Sequence, residues 1–128
     1  MEDSATILLV DDTESNVLLV QRVIQDVPGW NVVTALTAEE AMLLAVELRP
    51  DIILLDVNLP NVEGTTLLKH FRSDPATAGT PVVMVSADVR QAVIEEFLAA
   101  GAQQHITKPI DIGKLIDVVR AILKDLPR

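Results

Sequence analysis

Short apolar runs alternate along the chain with longer segments of helical period. Ile7-Leu8-Leu9-Val10, Ile52-Ile53-Leu54-Leu55 and Val82-Val83-Met84-Val85 are apolar at every position, the signature of central strands in a parallel sheet covered by helices on both faces. Asn31-Val32-Val33-Thr34 and Gln104-His105-Ile106-Thr107 are mixed and are expected at the edges. Five strands separated by helices predict an α/β domain.

The intervening segments carry apolar residues three or four apart. Val17, Val20, Ile24 and Val27 form one such stripe, and Ile112, Leu115, Val119, Ile122 and Leu126 form another. Thr37 followed by Glu40 predicts a capping box at the start of helix two, and Asp111 is placed to cap helix five. Pro50, Pro75, Gly79, Pro81 and Gly101 mark the ends of helices and the connections between elements. Arg72 to Thr80 is expected to be an extended connection into strand four. Met42, Met84, Phe71 and Phe97 are expected in the core, and His70, beside Lys69, on the surface.

At 128 residues, with 49% hydrophobic and 23% charged, the chain has the balance of a single folded domain, and the expectation is one domain over residues 1–128. The absence of cysteine excludes disulfides, thiolate metal sites and a cysteine nucleophile. The acidic opening Met1-Glu2-Asp3-Ser4 does not resemble a secretion signal, and no apolar run is long enough to cross a bilayer. A cytoplasmic protein is expected. The net charge of −9 argues against a nucleic-acid surface. That charge is local: residues 1–64 hold 2 basic and 12 acidic residues, whereas residues 65–128 hold 8 and 7.

Part of this acidity sits where a parallel sheet places its ligands, beyond the carboxyl ends of the strands. Strand one runs into Asp11-Asp12, strand three into Asp56, strand four into Ser86 and strand five into Lys108-Pro109. If these strands are neighbours, three carboxylates converge. Each like-charged pair at about 4 Å costs roughly 4 kcal/mol at an effective dielectric near 20, so the cluster needs compensation. Lys108 supplies one positive charge, and the oxygen-rich surroundings suit a hard cation such as Mg²⁺. Ser86 and Lys108 are hydrogen-bond donors and fit a phosphoryl group, which points to phosphoryl transfer onto Asp56.

Leu9-Val10-Asp11-Asp12, Leu54-Leu55-Asp56-Val57-Asn58-Leu59-Pro60 with Gly64, Val85-Ser86-Ala87 and Thr107-Lys108-Pro109 together resemble the receiver domain of two-component response regulators over residues 6–124. Combined with right-handed crossovers, this resemblance implies a flavodoxin-like sheet of order 2-1-3-4-5, with helices one and five on one face and two, three and four on the other. It also implies Asp56 as phosphoacceptor, Asp12 as a direct Mg²⁺ ligand, Asp11 acting through metal-bound water and the Asn58 carbonyl as a further ligand. Ser86 and Lys108 would contact the phosphoryl oxygens. The donor would be a phosphohistidine on a histidine kinase or histidine phosphotransfer protein. Output would pass through helix four, strand five and helix five of a monomer or weak dimer.

His105 departs from the family, which usually has Tyr or Phe as a switch residue three positions before the lysine. It is either an inert edge-strand histidine or a pH-sensitive replacement for that switch. The resemblance also implies that Asn58 and Asp88, each two residues beyond a motif residue, flank the site and modulate acyl-phosphate hydrolysis, and Asp88 could equally cap helix four. Trp30 is expected far from Asp56, so that Mg²⁺ barely quenches its fluorescence. Two alternatives remain: a Mg²⁺-dependent aspartyl-phosphate phosphatase, and a degenerate receiver that only docks partners.

Overall fold

A computed structural model describes residues 4–60 and 62–126; the acidic opening at residues 1–3 lies outside them. The chain alternates strand and helix as β1 (Ala5–Val10), α1 (Glu14–Gln25), β2 (Trp30–Ala35), α2 (Ala38–Leu48), β3 (Ile52–Asp56), α3 (Gly64–Ser73), β4 (Val82–Ser86), α4 (Gln91–Ala99), β5 (Gln104–Thr107) and α5 (Ile112–Lys124). The five strands form one parallel sheet in the order β2-β1-β3-β4-β5. The order agrees with expectation. β1 and β2 begin earlier than their apolar runs, because Ala5 and Trp30 pair at the foot of the sheet.

Strand alternation sends successive side chains to opposite faces, so each central strand feeds two cores. Ile7, Leu9, Ile52, Leu54, Val83, Val85 and Ile106 pack under α1 and α5 with Val20, Ile24, Leu115 and Val119. Leu8, Val10, Ile53, Leu55, Val82 and Met84 pack under α2, α3 and α4 with Ala41, Ala45, Leu68, Phe71 and Phe97. Met42 is half-buried at the margin of the second core. Ile112, assigned to the buried stripe of the last helix, is 47% exposed. It occupies the first position of α5, ahead of the turn at which Leu115 reaches the sheet.

The caps follow their sequence signatures. Glu40 N–H donates to Thr37 Oγ1 at 3.1 Å, while the Glu40 carboxylate accepts from Leu36 N–H at 2.8 Å. Lys114 N–H donates to Asp111 Oδ1 at 3.0 Å. Asp88 does not cap α4, whose N-cap is Arg90. His70 is exposed.

The segment from Arg72 to Thr80 is a compact turn rather than an extended connection. Thr77 is buried and its hydroxyl donates to Phe71 O at 2.7 Å. The Arg72 guanidinium donates to Thr80 O at 2.7 Å, Ala78 O at 3.3 Å and, from Nε, Gly101 O at 3.0 Å. One side chain thus ties the α3–β4 turn to the α4–β5 turn. Gly101, at φ 111°, also leaves room for it: a Cβ there would lie 2.9 Å from Arg72 Nε. Replacement of Arg72 by Ala is expected to cost about 2 kcal/mol in urea unfolding, because carbonyls in both turns lose their donors. Lys, a point charge without the planar fork, should recover less than half; full stability of either variant would contradict this role.

Candidate functional site

The rim of the sheet is built from residues held in its hydrogen-bond ladder. Asp56 is the last residue of β3 and Ser86 the last of β4. Asp11 and Lys108 each lie one residue beyond a strand, and the ladder extends to include them: Asp11 N–H donates to Ala35 O at 3.1 Å and Lys108 N–H to Ser86 O at 2.9 Å. Their side chains therefore hang from rigid backbone. By alternation, Asp11, Asp56 and Lys108 follow Leu9, Leu54 and Ile106 toward the α1/α5 face.

Asp11, Asp12 and Asp56 come together, each offering one carboxylate oxygen within 4.8 Å of those of the other two. Asp11 and Asp56 are each 2% exposed, and Asp12 is exposed. Lys108 Nζ donates to Asp56 Oδ1 at 2.7 Å. Asn58 N–H donates to the same oxygen at 3.1 Å. Asp56 Oδ2 is buried without a partner, an acceptor whose lone pairs are uncommitted. Thr13 N–H donates to Asp11 Oδ1 at 2.8 Å. Burial pushes the Asp11 carboxyl above its ordinary value and the Asp56 charge pushes the same way, while the Thr13 N–H bond and the Lys108 charge oppose the rise.

The loop after Asp56 turns back closely. Gly64 N–H donates to Val57 O at 3.1 Å, and a Cβ on Gly64 would lie 2.6 Å from Val57 Cα. Only glycine fits there, which gives the motif glycine its physical reason. Asn58 is exposed at the mouth of the site.

Ser86 stands on the neighbouring strand but forms no hydrogen bond to Asp56 in this arrangement. It follows Met84 toward the α4 face, and its Oγ accepts from Asp88 N–H at 2.9 Å. Asp88 is in turn gripped by Arg90, with Nη2 to Oδ2 at 2.6 Å and Nε to Oδ1 at 3.0 Å. His105, half-buried on β5, stacks on Phe97 of α4 at 5.8 Å. The sequence reading missed the role of Arg90, although its position two residues after Asp88 permits the contact. Trp30 pairs with Ala5, six residues below Asp11 and thus about 20 Å down the strand at ~3.3 Å per residue, where Arg120 lies over its ring at 5.7 Å.

The raised Asp11 carboxyl has a defined stability signature. A carboxyl whose folded pKa exceeds its unfolded value contributes stability that is present at low pH and lost as pH rises through the folded pKa. Asp11→Asn, which retains an acceptor for Thr13 N–H, should therefore stabilise the metal-free protein by on the order of 1 kcal/mol at pH 7 and have little effect near pH 3. Urea unfolding at the two pH values tests this; destabilisation at pH 7 would contradict it.

Comparison with known proteins agrees with this geometry. Residues 7–120 match the response regulator receiver domain family. The chain is 37% identical over 121 residues to "Response regulator PleD" of Caulobacter vibrioides, covering 94% of this chain and 26% of that protein. It is 31% identical to "Polar-differentiation response regulator DivK" of Brucella anthropi, covering 94% of this chain and 97% of the relative. The chain thus spans about a quarter of PleD and nearly all of DivK. Among solved structures, a putative response regulator from Chloroflexus aurantiacus superposes with a TM-score of 0.88 at 30% identity, over 95% of this chain and 99% of that one. Chemotaxis protein CheY4 of Vibrio cholerae superposes at 0.86 and 30% identity, over 93% and 98%. Sequence, topology and overall superposition converge: the chain belongs to the response regulator receiver domain family.

Proposed function

We propose that the protein is a phosphoacceptor in a two-component phosphorelay, taking a phosphoryl group from a phosphohistidine onto Asp56. The histidine would belong to a histidine kinase or phosphotransfer protein. The observation that carries this reading is the Asp56 carboxylate, 2% exposed, with Lys108 on Oδ1 and no partner on Oδ2. An uncommitted carboxylate oxygen beside a fixed cation is suited to nucleophilic attack on phosphorus. A carboxylate oxygen would form the new O–P bond as the P–N bond breaks, its electron pair leaving with the donor imidazole.

The product would carry about −1.5 to −2 charge where a carboxylate stood. Lys108 Nζ, already at 2.7 Å from Asp56, would stay with the group as its charge grows. Ser86 Oγ accepts a bond from Asp88 N–H, which leaves its own O–H hydrogen to donate to a phosphoryl oxygen once it turns toward Asp56. That turn would move the loop from β4 to α4 and so alter the surface of α4, β5 and α5 for a downstream partner, a population shift between two conformers. Asn58 and Asp88 would flank the phosphoryl group and tune its hydrolysis.

The donor set fits Mg²⁺: oxygen ligands, no thiol, and a buried Asp56 oxygen without a partner. Asp11, Asp12, Asp56 and the Asn58 carbonyl would hold the ion. When bound, it would neutralise negative charge on the carboxylates and on the incoming phosphoryl oxygens. Chelation of Mg²⁺ is therefore expected to suppress phosphorylation without unfolding the chain.

Incubation with acetyl phosphate and Mg²⁺ should add one acid-labile phosphoryl group, detected by intact mass. Asp56→Asn or excess EDTA should prevent it. Absence of labelling in the wild type would overturn the reading. Mg²⁺ should leave Trp30 fluorescence nearly unchanged, since the indole lies at the far end of β2.

A further inference from the structure

The β4–α4 loop is two short turns that share Asp88. In the first, Asp88 N–H donates to Ser86 Oγ at 2.9 Å. In the second, the Asp88 carboxylate accepts from Arg90 N–H at 3.0 Å. The Arg90 guanidinium closes on the same carboxylate as a fork, with Nη2 to Oδ2 at 2.6 Å and Nε to Oδ1 at 3.0 Å. Asp88 is therefore held at its backbone by Ser86 and at its side chain by Arg90.

Arg90 is an unusual residue for its position. It is the N-cap of α4, and its carbonyl accepts the first helical bonds, from Val93 N–H at 3.0 Å and Ile94 N–H at 3.1 Å. N-caps are commonly Ser, Thr, Asp or Asn, whose side chains accept from the helix. A guanidinium has no acceptor, and Arg90 makes no side-chain capping bond. Its side chain reaches back to Asp88 instead. The Arg90 side chain is 77% exposed and that of Asp88 32% exposed, so packing does not hold the guanidinium there. Opposite charge and the bidentate fit do.

The clamp bears on Ser86. For the Ser86 hydroxyl to leave this arrangement, Asp88 N–H must give up its acceptor, and the peptide between Ala87 and Asp88 has to turn until the N–H meets another acceptor or water. That turn carries the Asp88 carboxylate away from a guanidinium anchored at the start of α4. We propose that Arg90 is a positioning residue for Ser86: its clamp on Asp88 keeps the Ser86 hydroxyl bonded within the loop and sets how readily that hydroxyl turns toward Asp56. The proposal rests on the reading of Ser86 as a phosphoryl ligand. The clamp is a brake, so its loss favours the conformer that receives the phosphoryl group. A cation whose role was to attract the phosphoryl anion would act in the opposite direction.

Beryllofluoride with Mg²⁺, titrated against backbone amide resonances, measures the effect without group transfer. Arg90→Ala should tighten beryllofluoride binding by about two- to fivefold, the scale of one exposed ion pair. Arg90→Lys, a charge without the fork, should fall between Arg90→Ala and the wild type. In the ligand-free chain, the Asp88 amide should exchange with solvent faster by a similar factor in Arg90→Ala. Salt at about 1 M screens the pair and should narrow the difference between variant and wild type. By linkage, beryllofluoride should speed exchange of the Arg90 Nε–H in the wild type. Unchanged or weaker binding by Arg90→Ala, or an Asp88 amide that stays as protected as before, would overturn the proposal. If neither protein binds beryllofluoride while the Asp88 amide is released in Arg90→Ala, the phosphoacceptor reading falls and the clamp on the loop stands.

Discussion

Crowding of carboxylates at one end of a parallel sheet is the constraint on which the rest of the structure turns. Asp11 and Asp56 are almost fully buried with Asp12 beside them, and such a cluster repels itself at short range. The Lys108 ammonium, delivered from β5 at 2.7 Å, is the internal compensation, and it meets only one oxygen of Asp56. What remains is an excess of negative charge and an unfilled acceptor. A fold selected for stability alone gains nothing from that arrangement, because a buried charge left partly compensated is costly. A cation and a phosphoryl group would each complete it.

Strand parity divides the site into two halves. Residues following the α1/α5 side, Asp11, Asp56 and Lys108, meet one another, whereas Ser86 has the parity of Met84 and faces the α4 loop. The acid cluster and the β4–α4 loop are therefore joined at the end of β4. Any event at Asp56 that recruits the Ser86 hydroxyl must disturb Asp88, and through it Arg90 at the N-cap of α4. On the proposed reading, coupling would need no long pathway: Ser86, Asp88 and Arg90 are joined by hydrogen bonds within one short loop.

Much of this was legible in the sequence. The unbroken apolar runs located the central strands, and their downstream neighbours located Asp11, Asp56, Ser86 and Lys108. Parity was equally available, since Leu54 precedes Asp56 by two and Met84 precedes Ser86 by two, and it sets Ser86 apart from the three converging carboxylates. Ile112 satisfied the helical period yet lies in the first turn of α5, where period alone cannot say whether the helix has reached the sheet. The compact Arg72 turn was hidden because its partners are backbone carbonyls, which leave no residue-type signature. The same holds for the orphaned nitrogen of His105: an edge-strand histidine is an ordinary residue until its neighbours are known.

The central claim is that the buried, half-satisfied carboxylate of Asp56 is the atom group that receives phosphorus. Borohydride reduction of the acetyl phosphate-treated protein, followed by peptide mass mapping, tests it most directly because an aspartyl phosphate is converted to homoserine at the residue that carried it. The account predicts homoserine at position 56 alone. Its appearance at position 11 or 12, or its absence from all three, would contradict the account.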